Sequence, residues 1–420
     1  VTLKDAPRTS LRPTAAIADV RQDIAGAVPS QLVDAWLASE RDDRAHEIIL
    51  RPYEVEGTIV SSDSVGLSKL TRTLAQAQVL ALVSQPKERL YALASAVGGE
   101  AIGVWAADNA QLFFRSEISA NVVVEQMLAA LAEIRSCAVQ VGLAVHSARC
   151  FRVAGGLFGA EADLVEHLAE DVSRGGEILL TRAARDALSP GLASKARRCE
   201  PDRSSEPLWS LLDVLPERFV AGEDVLYPAP FSEDVRTLLR ASSIDALAHE
   251  RLDRWRREAV VVFLHARPGP RKRLLDGFAQ LAALDRVVAS AASAGGDAIK
   301  STGSLAIVLF SRASDAIGFA TASCRALRAD GVRASAAVTQ GDVFVFDLGP
   351  ERGREIAGDP VNLGAKLAED AGYDGVLVEA ALASDPRCAR GEPFSLELSG
   401  LVLEGRLLDG AQRSSSEPTM

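Results

Sequence analysis

Apolar and polar positions along this chain follow a pattern that occurs twice. A β-rich apolar run (58–62) leads into a long Ala/Leu helical region, then a Gly-Gly hairpin (97–114), a helix (119–135), a strand (138–146), an Ala-rich helix (160–172) and a closing strand (177–181). The same succession returns as a run at 259–264, a hairpin at 294–310, a helix at 312–328, a strand at 332–339, a helix at 360–371 and a strand at 375–379. Strands alternating with helical stretches predict an α/β (α+β) sandwich with helices on one face of a mixed sheet. The order strand, helices, hairpin, helix, strand predicts a ferredoxin-like arrangement. An amphipathic segment precedes each copy, 29–44 with Leu32, Val33, Trp36 and Leu37 on one face, and 232–255 with Val235, Leu238 and Leu239. Such a segment reads either as a helix packed on its own domain or as a signalling connector.

Three blocks of residues support duplication. "VGGEAIGVWAADNAQLFF" matches "AGGDAIKSTGSLAIVLF", "GTIVSSDSVG" matches "AVVVFLHARPG", and "GAEADLVEHLAE" matches "GDPVNLGAKLAE". They recur in the same order at a nearly constant offset, Gly98 to Gly295, Asp63 to His265 and Gly159 to Gly358. Self-similarity at so long a period signifies a repeated domain. The predicted organisation is an N-terminal extension (1–52), a first domain (53–228), a helical linker (229–257), a second domain (258–410) and a tail (411–420). "DRSSEPL", "PAP" and "RSSSEPTM" have the composition of turns and linkers.

Composition narrows the classes. At 420 residues the chain is too long for one ordinary core. Its apolar runs fall far short of the ~18 residues that span a bilayer, and its N-terminus shows no signal-peptide pattern. Five cysteines without a CxxC pair fit a reducing cytoplasm better than a disulfide framework or a zinc site. A net charge of −11 argues against nucleic acid as a partner, because phosphate-backbone binding draws on clustered Lys and Arg.

The repeated blocks resemble the class III nucleotidyl cyclases, which convert ATP or GTP to a 3′,5′-cyclic nucleotide and pyrophosphate. "SSDSVGLSKLT" is similar to the strand end that carries that family's first metal aspartate. "GGDAIKSTGS" is similar to the hairpin with its Lys and second metal aspartate, and "GDPVNLGAKL" to its transition-state segment. The resemblance covers most of 30–215 and 232–410. It implies two cyclase-type domains forming an intramolecular pseudo-dimer, with two metal ions, Mg2+ or Mn2+, that acidify the ribose hydroxyl and hold the departing phosphates. One domain then supplies the metal acids. The other supplies Lys and an acid for the purine, Asn for the ribose, and Arg for the charge on the rearranging phosphate.

Carried over residue by residue, the resemblance exposes losses. In the first copy Asp63 takes the first metal position, but Ala107 takes the second, with Asp108 one place later; the Lys, Asn and Arg positions read Gly103, Asp163 and His167. The second copy has His265 and Ser304 at the metal positions, yet keeps Lys300, Glu355, Asn362, and Lys366 in place of Arg. Asp63 with Lys300, Glu355, Asn362 and Lys366 would furnish one half-equipped cleft. Loss of a well-placed charge stabiliser typically costs on the order of 3 kcal/mol in the transition state. Lys366 keeps the charge without the bidentate fork of Arg. A one-residue slip to Asp108 would turn its side chain to the other face of a strand.

Plainer readings stand beside these. Asp63 also reads as a strand-end acid capping a turn, Lys300 as a solvated hairpin lysine, and Asn362 as a helix cap. His265 and His167 also read as buried or rim histidines, and Glu355 lies in a stretch whose alignment can slip. The sequence therefore predicts a cytoplasmic pseudoenzyme that binds a purine nucleotide or a protein signalling partner. The alternative is a weak adenylate or guanylate cyclase.

Overall fold

The computed structural model describes residues 29–65, 74, 76–102, 109–200, 207–222, 233–242, 250–267, 273–302, 304–347, 354–398 and 401–409. The first described elements are two short helices, α1 (Ser30–Leu37) and α2 (Asp43–Leu50). The first copy then runs β1 (Glu54–Val65), α3 (Gln76–Ser95), β2 (Glu100–Ile102), β3 (Asn109–Arg115), α4 (Ala120–Ile134), β4 (Gln140–Val153), β5 (Gly156–Phe158), α5 (Ala160–His167) and β6 (Glu177–Leu180). It closes with the short helices α6 (Arg182–Asp186) and α7 (Pro190–Ala193) and the strands β7 (Arg197–Arg198) and β8 (Trp209–Leu212).

After α8 (Glu233–Ser242), the second copy repeats the plan: β9 (Arg256–Arg267), α9 (Leu274–Ala289), β10 (Asp297–Thr302), β11 (Leu305–Phe310), α10 (Ala313–Ala329), β12 (Arg333–Asp347), β13 (Arg354–Ala357), α11 (Asp359–Ala365), β14 (Gly375–Glu379), β15 (Glu392–Leu398) and β16 (Leu401–Leu408).

The two sheets have the same topology. The first is ordered β2-β3-β1-β4-β6-β8-β7 with β5 paired to β4; the second is ordered β10-β11-β9-β12-β14-β16-β15 with β13 paired to β12. In each, the first four strands and two helices give the ferredoxin-like order that the sequence predicts, and the sheet is mixed because β4–β6 and β12–β14 are parallel. A parallel neighbour requires a crossover, which α5 and α11 provide.

Helices flank each sheet on both faces, where the element order predicts cover on one. In the second copy Val261, Phe263, Ile307 and Leu309 pack with Leu367 and Ala368 beyond α11. Phe310 instead meets Phe319 of α10, with ring centroids 5.4 Å apart. All six residues of β11 are accordingly buried, as an apolar strand covered on both sides must be. The first copy has an equivalent cluster of Ile59, Phe113, Ala144 and Leu179 against Val165, Leu168 and Ala169.

The repeated Gly-Gly has a steric cause. Gly98 and Gly295 sit at φ +83° and +79°, where a Cβ is unfavourable. A Cβ on Gly99 would lie 2.5 Å from the Phe114 ring, and one on Gly296 2.6 Å from the Phe310 ring. The chain thus turns at the first glycine and passes close under a core aromatic at the second.

The amphipathic segments are placed unexpectedly. The described residues form two compact units, and residues 29–49 belong with the second copy, whereas residues 233–242 belong with the first. Helix α1 packs on α9, burying Leu32, Val33 and Trp36, while α8 packs on α3, burying Val235 and Leu239. Each helix therefore covers the copy that it does not immediately precede. Leu37, predicted on the buried face, is the last residue of the helix and is 53% exposed. Among the described residues no helix is long and apolar enough to cross a membrane.

Candidate functional site

In the second copy, the segments expected to carry function converge on β10 and β13. Lys300 Nζ donates a 2.7 Å hydrogen bond to Glu355 Oε2. Their side chains are 15% and 7% exposed, and the other Glu355 oxygen accepts from the backbone N–H of Ile356 at 2.9 Å. This is a nearly sealed ion pair, not a solvated lysine. Glu355, whose alignment the sequence leaves insecure, belongs to a regular strand opposite Phe346.

A bulge aims the lysine. Ala298 pairs with Val308 but Lys300 pairs with Ile307, so the ladder shifts by one between them. Directly opposed residues share a face of the sheet. Normal alternation would place Lys300 on the face of Ala298; the bulge moves it to the face of Ile307, where α11 and its cluster lie. A second clamp stands beside the first. Arg354 forks onto Asp297 at 2.6 and 2.8 Å and onto the carbonyl of Ala298 at 2.6 Å, and Arg257 adds a 3.3 Å bond to the same carboxylate. The hydrogen bonds from Arg354 hold the Asp297 carboxyl below its ordinary value, against a smaller opposing effect of burial. The sequence reading did not single out this pair; an Arg immediately before Glu355 and an Asp three residues before Lys300 were the available signal.

The remaining predicted residues lie nearby in sequence but in other settings. Gly358 occupies the cap of α11, so Asn362 lies inside the helix, is exposed, and is not its cap. Lys366 is half-buried at the junction where α11 passes into a π-helical turn, Lys366–Asp370. His167 ends α5 at the equivalent junction, before the π-helical turn Leu168–Val172. Such π turns are often found at functional sites, and here both copies place one at the position that the resemblance assigns to Arg. His265 is buried in β9 between Leu305 and Ser335. Ser304 is fully buried in the hairpin turn, where its carbonyl accepts from Ala266 at 2.6 Å and its hydroxyl has no hydrogen-bond partner among the described residues.

In the first copy Asp63 is half-buried near the end of β1, opposite Asn109 on one side and Gly142 on the other. Lys87 of α3 is 1% exposed and donates at 2.6 Å to the carbonyl of Asn109, whose amide donates to Glu170 at 3.1 Å. His167 Nδ1 and Asp171 Oδ2 are 2.7 Å apart, and Asp163 is buried in α5. Gly103, Ala107 and Asp108 lie outside the described residues. A second imidazole network was not foreseen: His146 contacts Thr181 Oγ1 through Nδ1 at 2.7 Å and Glu161 Oε2 through Nε2 at 2.6 Å.

These residues fit a metal pair poorly. At the two positions that the resemblance assigns to metal acids, the second copy has an imidazole and a hydroxyl, whereas Mg2+ is ordinarily held through carboxylate oxygens. Among the described residues no group of three or more His, Cys, Asp or Glu is arranged to hold an ion.

No family model matches the chain, and no curated protein matches it either. Solved structures do. A class III adenylyl cyclase-like ATP-binding protein from Pseudomonas aeruginosa is 16% identical, with 78% of this chain and 84% of that chain covered and a TM-score of 0.47. The guanylyl cyclase Cya2 is 15% identical over 40% of this chain and 97% of its own, with a TM-score of 0.33. The adenylyl cyclase CyaB from P. aeruginosa is 16% identical over 37% and 92%, with a TM-score of 0.32. These are likenesses of fold alone.

Proposed function

We propose that this chain is a degenerate tandem cyclase-like module that binds a purine nucleotide, and that it is not an efficient cyclase. The observation that carries this reading is the Lys300–Glu355 pair, kept at 2.7 Å and nearly shielded from water in the same copy whose metal positions hold His265 and Ser304. Glu355 can accept from a purine amine, and Lys300 can donate to a ring nitrogen or carbonyl. Entry of a base exchanges the internal ion pair for contacts to the ligand, so affinity is expected to be modest. The pairing of the two copies that the resemblance implies, and a protein signalling partner, belong to the same proposal.

Titration calorimetry with ATP and with GTP tests it. Binding that is lost in both Lys300→Ala and Glu355→Gln supports the reading, and no heat at millimolar nucleotide removes it, leaving protein interaction. A residual cyclase is the second reading, favoured by retention of Asp63 at the end of β1. Prolonged incubation with ATP or GTP and Mn2+, analysed by mass spectrometry for cyclic product, separates the two. Product that vanishes in Asp63→Ala, and rises in Ala107→Asp, would establish the enzyme.

A further inference from the structure

The ring of His46, in α2, stands where that helix meets α1 and the start of α9. Its centroid lies 6.0 Å from that of the Trp36 indole, at an interplanar angle of 75°. The charged groups that face it are Asp43 on its own helix, and Arg273 and Asp276 at the start of α9. Both acids already accept bonds from other groups: Asp276 Oδ1 from the Trp36 indole at 3.0 Å, and Asp43 Oδ1 from Arg273 at 2.7 Å. The Asp43 side chain is also 93% exposed, so solvent screens its pull on the ring. His46 Nε2 is shielded from solvent and has no hydrogen-bond partner among the described residues. A neutral imidazole can leave one ring nitrogen as a bare acceptor, whereas an imidazolium is a donor at both. Protonation would therefore place a charged N–H where nothing accepts it, and an unpaired buried donor bears its full desolvation cost.

We propose that His46 is an acid-sensitive latch: while neutral it holds α1 and α2 on the second copy, and when protonated it releases them. The Arg273 guanidinium lies 6.0 Å from the centroid of the Trp36 ring, so a cation at His46 would be the second one at the same junction. Burial, and then Arg273, hold the His46 imidazole below its ordinary value, against weaker opposing pulls from Asp276 and Asp43. With α1 and α2 detached the ring is solvated and takes the ordinary value of about 6.5. Between the two values the detached state binds more protons than the attached one. Attachment is therefore intact above the ordinary histidine value and weakens as pH falls through it toward the depressed one. Release would bare the face of α9 on which α1 packs, while the sheet of the second copy keeps its own core. This proposal does not rest on the nucleotide reading.

Hydrogen exchange of the full chain, read by mass spectrometry as protection relative to the unstructured rate, tests the latch at about pH 7.5 and about pH 5.5. In wild type the protection of α1 is expected to fall severalfold at the lower pH. The ceiling is about tenfold, the limit for an ordinary histidine that titrates about one unit above the ambient pH. Protection of β11, which is buried throughout, should not change. His46→Phe keeps an aromatic ring that cannot be protonated, and should hold the protection of α1 level between the two pH values; His46→Gln serves if the phenyl ring does not fit. Equal protection of α1 at both pH values in wild type overturns the proposal. A fall that persists in both variants does so too, because another group would then be responsible. The His46 titration, followed by NMR of isotopically labelled histidine and assigned with His46→Phe, gives an independent reading. A midpoint below about 6.5 supports the latch, and one at or above it sinks the proposal whatever α1 does.

Discussion

The indole of Trp36 donates a hydrogen bond to Asp276 across 240 residues of sequence. Around it, Trp36 is 1% exposed and meets His46 edge-on at 6.0 Å, and Arg273 reaches Asp43 at 2.7 Å. Helix α1 is thereby fixed to the second copy. Trp36→Ala is expected to lower stability by about 3–5 kcal/mol, the usual cost of deleting a buried aromatic. Trp36→Phe should cost less, since it removes the hydrogen bond and only part of the ring. Urea unfolding of the two variants measures the difference. The same arrangement predicts that residues 53–228 alone are poorly soluble, because the α3 surface that accepts Val235 and Leu239 is then bare, and that extension to include 233–249 restores solubility.

The Lys300–Glu355 pair is expected to show strong non-additivity. Lys300→Met leaves a carboxylate buried without its cation and should cost about 3–5 kcal/mol. The double variant Lys300→Met/Glu355→Leu should recover most of that loss, because a buried pair replaced by apolar groups is often near neutral. Denaturant midpoints of the two singles and the double give the coupling directly.

Acid should remove a stabilising contribution at two places. Glu161 is held below the ordinary glutamate value chiefly by its hydrogen bond from His146, and Asp297 below the ordinary aspartate value chiefly by its bonds from Arg354. A depressed folded value means that the contribution is present above the unfolded value and lost as pH falls through the folded one. Wild type should therefore lose part of its stability advantage over Glu161→Gln, and over Asp297→Asn, as pH is lowered below the normal carboxylate range. For Asp297→Asn, whose partner is an arginine, the difference from wild type should be constant between about pH 6 and 7, where the carboxylate is fully ionised. Thermal midpoints against pH provide the check.

The tight glycines give a steric prediction. Gly296→Ala would drive its Cβ to 2.6 Å from the Phe310 ring and 2.8 Å from Val308. A loss of about 1–3 kcal/mol is expected, as for overpacking of a filled core. Gly331→Ala is the comparison: its Cβ would meet nothing within 4 Å, and only its positive φ of +75° would count.

Local pattern was enough to establish the duplication, the strand and helix order and the ferredoxin-like core, because periodicity and spacing are properties of neighbouring residues; Lys300 and Glu355 were singled out by the family resemblance instead. Four features were decided by long-range structure. The bulge that turns Lys300 toward Glu355 arises from register with β11, not from the composition of β10. The π turns at His167 and Lys366 follow how α5 and α11 must end against their sheets. The Arg354–Asp297 clamp joins strands 57 residues apart. Helices α1 and α8 each carry an apolar face that the sequence shows plainly, yet an apolar face says only that it must be covered. Which surface covers it is decided by long-range packing: Trp36 finds α9 and Val235 finds α3, and only the folded chain brings those surfaces within reach.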